Sequence, residues 1–162
     1  MIRNQIESVV SQLVTAPKFI YGTVNEINLL SDAQDWSNGV VMLYTLKPVK
    51  KKTTVNQAIA ERFALYMEFL FRTEFDQYTS QNEQYVLMAN ALCNEFLVKL
   101  EYYRETPLAA RYFQIYVNEG MTSLPVYNKL DVNSTGVNLS LELSSMQNQG
   151  FDPASRPAGY VA

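Results

Sequence analysis

Arg62–Glu74, RFALYMEFLFRTE, leading on to Ser80–Arg104, SQNEQYVLMANALCNEFLVKLEYYR, is the stretch that decides the fold. In the first segment Phe63, Leu65, Met67, Phe69 and Phe71 take every second position, with Arg62, Ala64, Tyr66, Glu68, Leu70 and Arg72 between them. Side chains alternate across a strand, so this aromatic-rich period of two favours a β-strand, with a helix as the alternative. In the second segment Val86, Ala89, Cys93, Phe96, Leu97 and Leu100 recur at helical spacing, and Leu92 and Tyr103 widen the stripe. Ser80-Gln81-Asn82-Glu83 has the form of a capping box that satisfies the free N–H groups of a helix start. Thr106-Pro107 stops the pattern, because the residue before a proline is pushed out of the helical region. At 1.5 Å per residue the helix would run roughly 37 Å. A strand feeding a long helix is a spine for the remaining segments.

Towards the N-terminus, Ile2, Ile6, Val9, Val10, Leu13 and Val14 form the apolar stripe of an amphipathic helix that ends before Pro17. Lys18–Ile27 is aromatic and β-branched and reads as a strand, and Asn28–Asn38 as a polar connection closing on Asn38-Gly39. Val40–Leu46 is apolar on both faces. Such a strand is either central in the sheet or covered on its second face by another chain, which makes Val40, Val41, Met42, Leu43 and Tyr44 candidate subunit-interface residues. Lys47–Asn56 reads as an exposed loop carrying Lys47, Lys50, Lys51 and Lys52. It is a solvated connection, or a contact with an acidic partner or with passing DNA. Ala58–Arg62 extends the next element as a helical turn.

Towards the C-terminus, Arg111–Val117 is a strand and Asn118–Gly120 a turn. Met121–Tyr127 is a short strand that Pro125 confines to an edge. Asp131–Gly136 is a turn, and Gly136–Ser144 alternates cleanly between Val137, Leu139, Leu141, Leu143 and polar residues. From Ser145 the periodicity is lost, and residues 146–162 read as an extended arm whose Phe151 and Tyr160 are further interface candidates. The order of elements predicts an α+β domain over residues 1–145. Its sheet is mainly antiparallel, with an N-terminal helix and one long central helix packed on it.

The residues argue against most enzymes. The chain has no histidine, so His-based triads and His metal sites are excluded. Cys93 is the only cysteine and lies on the apolar side of the long helix, a core thiol suited to a reducing cytoplasm. Six scattered glycines build no phosphate-cradling loop. Glu68 with Glu74 or Asp76 remain as carboxylate pairs that no spacing singles out, and no cofactor is expected. Asp131, Asn133, Thr135, Gly136 and Glu142 reproduce a calcium-loop spacing, but Asn138 takes a normally aliphatic position and a strand follows where a helix is needed. A polar turn between strands is the plainer reading. Asn133 and Asn138 head glycosylation sequons that have no meaning without secretion. A net charge of −3 gives no basic footprint, so the aromatic pairs Tyr102-Tyr103 and Tyr112-Phe113, close to Arg104 and Arg111, read as packing. The N-terminus lacks the apolar block of a signal peptide, and the longest apolar run, Val40–Leu43 with Tyr44, is too short to span a membrane. A soluble protein made inside the cell is expected.

The order of elements resembles the small α+β proteins of tailed-bacteriophage necks and tails, the tail terminators and head–tail connector (ring) proteins, and is similar to the tail-ring proteins of crAss-like phages. The residues that carry the likeness are Ile2–Val14, an early hairpin over Phe19–Leu46, and the strand Phe63–Phe71 running into a helix with Phe96-Leu97-Val98-Lys99-Leu100 near its end. The terminal strand Asp131–Leu143 completes it, so the likeness covers about Met1 to Ser145. It implies a non-enzymatic virion structural protein, made in the host cytoplasm and assembled as a homo-oligomeric ring, sixfold or twelvefold, around the genome channel. Its partners would be the portal or adjacent neck and tail rings, with DNA passing through unread. The alternatives are a cytoplasmic protein–protein adaptor or, further off, a small calcium-binding or enzymatic domain.

Overall fold

The computed structural model describes residues 2–32, 34–53, 58–74, 79–105, 113–117, 121–130 and 133–148. Its elements are α1 (Ile2–Ser11), β1 (Lys18–Tyr21), α2 (Val24–Ser31), β2 (Val40–Thr53), β3 (Ala58–Arg72), α3 (Thr79–Glu105), β4 (Phe113–Val117), β5 (Pro125–Lys129) and β6 (Ser134–Asn148). Six strands make one sheet in the order β1-β2-β3-β6-β4, with β5 also paired to β6. All neighbours are antiparallel except β1 and β2. The α+β class with one long helix is therefore as the periodicities predict.

The alternation in β3 sorts the core. Leu65, Met67, Phe69 and Phe71 point to the face covered by α1 and α3, where they meet Val41 and Leu43 of β2, Leu139 and Leu143 of β6, and the α3 residues Leu92, Cys93, Phe96 and Leu100. The rings of Phe69 and Phe96 lie 5.6 Å apart at 55°, a tilted contact typical of buried aromatic pairs. Leu70 points the other way, into a smaller cluster with Ile20, Ile27, Trp36, Val40 and Met42 beneath α2. β3 and β6 are in register over their full length, from Ala58↔Asn148 to Arg72↔Ser134. At Gly136 the two strands leave no room for a side chain: a Cβ would lie 1.9 Å from the Phe69 carbonyl oxygen.

Several local expectations are corrected. Lys18–Ile27 is not one strand: β1 stops at Tyr21 and α2 begins at Val24. The local cause is Thr23, whose hydroxyl accepts from Glu26 N at 3.4 Å while Glu26 Oε2 accepts from Thr23 N at 2.7 Å. This reciprocal cap starts a helix inside a β-branched run. The segment Phe19–Leu46 is consequently a parallel β1-α2-β2 crossover and not a hairpin. The capping box expected at Ser80 is not formed, since α3 already includes Thr79 and Ser80 sits in its first turn. α1 ends at Ser11, and Val14 lies outside it, exposed, with its N–H held by Glu95 Oε1 at 2.7 Å.

The lysine-rich segment is strand through Thr53, not loop, and Ala58–Arg62 continues β3 instead of forming a helical turn. Backbone pairing explains the lysines' place. β1 covers only Val40–Leu43 of β2, so among the described residues the rest of β2 is an edge, where Lys and Pro are tolerated and discourage unwanted pairing. Ser145–Asn148 likewise belongs to β6, paired to β3 and β4, so the sheet reaches further than residue 145.

Candidate functional site

Glu68 is the most unusual residue of the described structure. The alternation of β3 aims it at the second face of the sheet, where it is wholly buried. Its Oε1 accepts hydrogen bonds from Tyr66 Oη at 2.7 Å and from Lys129 Nζ. Lys129 is brought over the sheet by a backbone that turns left-handed on both sides of it, at Asn128 (φ 48°) and Leu130 (φ 68°). Its ammonium also lies 5.0 Å from the Tyr44 ring and 5.8 Å from the Tyr66 ring. A bulge between Leu43 and Thr45 tips Tyr44 into this group, 5.7 Å from Tyr66 between ring centroids. Burial, then the hydrogen bond to Glu68, pushes the Tyr66 hydroxyl up to about 12, and burial, then the Glu68 charge, raises the Tyr44 hydroxyl. Glu68 Oε2 finds no partner among the described residues.

This is a carboxylate neutralised by its own chain's lysine inside a two-tyrosine frame. The contact ties Lys129 of β5 to Glu68 of β3 across the sheet. Glu68 and Glu74 do not converge: β3 runs on for four residues from Glu68 to Arg72, roughly 13 Å, and Glu74 lies beyond its end. Asp76 lies outside the described residues.

Of the calcium-like spacing, Asp131 lies outside the described residues, and Asn133 and Thr135 belong to a buried amide knot. Asn133 Nδ2 donates to Thr73 O, Thr73 Oγ1, Glu74 O and Asn128 Oδ1 at 2.9–3.2 Å. Thr135 Oγ1 lies 3.3 Å from Thr73 Oγ1 and accepts from Asn128 N. Glu142 sits well along β6, ion-paired with Arg62 at 3.6 Å, so it cannot turn back to close a metal loop. The geometry is that of a turn tying the end of β3 to the start of β6.

The interface residues read from the β2 sequence are placed differently from the second of the two alternatives. Val40, Val41, Met42 and Leu43 are all fully buried within this chain, covered by α1 and α3 on one face and by α2 and Trp36 on the other, and Tyr44 is half-buried. Val40, Val41, Met42 and Leu43 offer no surface to a neighbour, which corrects their candidacy, whereas Tyr44 keeps part of its surface; β2 is apolar on both faces because it is central there. Lys47 is exposed, and Lys50, Lys51 and Lys52 lie on the β2 ladder opposite Arg62, Glu61 and Ala60. Phe151 and Tyr160 lie outside the described residues. Cys93 is buried, and burial pushes its thiol up to about 11.

What the periodicity did not show is where apolar surface remains. Val14, Leu87, Met88 and Val98 are exposed on the α1/α3 layer, as is Tyr21 beneath Arg3 of α1, and Val24, Leu29 and Leu30 are exposed on α2 on the opposite layer. A mainly apolar groove of about 300 Å³ opens on the first layer, between Thr15, Ser37, Phe71, Met88, Leu92 and Glu95. Helical spacing alone would have put Leu87 and Val98 outside the core stripe; the groove needs four segments distant in sequence and has no such signal. Among the described residues no helix is long and apolar enough to cross a membrane. No protein-family model matches the chain, and no characterised protein matches it significantly.

Proposed function

We propose that this chain is a non-enzymatic virion structural protein that forms an oligomeric ring in the neck or tail of a tailed phage, in contact with the portal or an adjacent ring. One observation carries the reading: two different apolar surfaces, around Met88 and around Leu29, lie on opposite layers of the sheet. A two-fold dimer buries one patch against itself, whereas two unlike patches on one subunit suit head-to-tail contacts, which close into rings when the rotation permits. The most prominent buried charge, Glu68, is committed to Lys129 and Tyr66, consistent with a structural and not a catalytic role. On this reading the lysines along the edge of β2 face a neighbouring ring or the passing genome, weakly enough for DNA to slide.

Mass photometry and negative-stain imaging of the purified protein, alone and with a cognate portal, test the proposal. Closed rings are expected. A strictly monomeric or two-fold dimeric particle under both conditions would refute it.

A further inference from the structure

We propose that Phe151 of one copy seats in the α1/α3 groove of a second copy, making a head-to-tail link between subunits. The argument is one of reach. β6 ends at Asn148, which pairs with Ala58 at the start of β3, whereas Phe71, in the wall of the groove, lies at the far end of β3. The thirteen strand residues from Ala58 to Phe71 separate the two places by roughly 43 Å. Phe151 is three residues beyond Asn148 and reaches at most about 11 Å from it. No conformation of residues 149–151 brings Phe151 to the groove of its own chain, so an occupant from this segment belongs to another copy.

The chemistry of the two parts is complementary. The groove offers mostly apolar wall, flanked by the exposed side chains of Val14 and Met88, and its volume of about 300 Å³ accepts an aromatic ring. QGFDPASRPAGYVA, residues 149–162, is polar and proline-containing around isolated aromatics, the composition of a segment that anchors by single side chains. The one charged residue of the groove wall is Glu95, and the one basic residue of the segment is Arg156. Because donor and acceptor sit at opposite ends of the sheet, each copy gives one contact and takes one. The inference deepens the ring proposal and rests on it only in supposing that copies associate.

Two full-length variants test it. Phe151→Ala removes the anchor and leaves the groove; Ala91, on α3, also lines the groove, so Ala91→Trp fills it and leaves the anchor. Each alone should lose self-association, with the dissociation constant raised about tenfold or more, while thermal melting stays close to wild type. Mixed in equal amounts they should form a one-to-one heterodimer and nothing larger. Should Ala91→Trp fail to fold, a Phe151→Cys/Met88→Cys double variant replaces it. Mild oxidation of that variant should give a ladder of covalent multimers on a non-reducing gel. A monomer with an internal disulfide, or self-association unchanged in Phe151→Ala, would overturn the inference. Rings still formed by Phe151→Ala would overturn it while leaving the ring proposal standing. A covalent ladder without closed rings on the grid would do the reverse.

Discussion

Lys129→Met isolates the buried pair from everything else in the fold. Methionine keeps the length and most of the apolar stem but leaves Glu68, which has no exposure to solvent, without its counter-charge. Tyr66 Oη at 2.7 Å would be its one remaining donor among the described residues, and Oε2 already has none. Breaking a buried ion pair from one side costs roughly 3–5 kcal/mol, because a desolvated charge is stranded. Lys129 is about one-third exposed, which lowers the worth of the pair, so about 3 kcal/mol is expected. Glu68→Leu should cost less, roughly 1–2 kcal/mol, since the freed ammonium can turn to water. The Glu68→Leu/Lys129→Met double variant should recover most of the loss and cost only about 1 kcal/mol, giving a coupling of about 3 kcal/mol or more. Trp36 is the only tryptophan, buried in the cluster that Tyr44 packs against, so its fluorescence in urea reports the transition. At a slope near 2 kcal/mol per molar, Lys129→Met should lower the midpoint by roughly 1.5 M. A loss under about 0.5 kcal/mol with no coupling would refute the view that Lys129 neutralises Glu68.

The other predictions are briefer. Gly136→Ala forces a Cβ to within 1.9 Å of the Phe69 carbonyl, so β3 and β6 must separate locally; a loss of about 3 kcal/mol or more by denaturation is expected, and a neutral result would contradict the register. Cys93 is buried with its thiol pushed up to about 11, so labelling by a thiol reagent at mild pH should follow the unfolding rate; rapid stoichiometric labelling of the native protein would place it at the surface. Tyr66 is raised from 10.0 to about 12, and Tyr44 is raised too. A raised folded-state pKa contributes stability that is whole below the unfolded value and lost as pH rises through the folded one. Stability should therefore fall from pH 10.0 towards about 12, and in Tyr66→Phe the fall should be shallower, followed by circular dichroism alongside tyrosinate absorbance.

Reading β3 and α3 from sequence succeeded because each buries a continuous face, and a buried face imposes its period on the chain. Arg62–Arg72 alternates because Leu65, Met67 and Phe69 must all meet the helices while Glu68 and Leu70 face away. The same logic misled at Lys18–Ile27. There Phe19 and Ile20 obey strand propensity, but the Thr23–Glu26 cap acts through two hydrogen bonds that outweigh the β-branched composition after Gly22. Lys47–Thr53 misled in the other direction: charge suggested a loop, yet strand pairing is made by the backbone, which carries the lysines along the edge of β2.

The sequence by itself determined the class of the fold, the burial of Cys93, the two-faced apolar character of β2 and the absence of histidine chemistry. These follow from composition and from periods of two and 3.6, which are local properties of a chain folding against one core. Only the tertiary structure decided that β2 is covered by its own α2 and Trp36, that Lys129 meets Glu68 sixty-one residues away, and that an apolar groove opens beside Phe71. Each depends on which distant segments the sheet order brings side by side, and pairing partners across a sheet leave no period in the strands that they join.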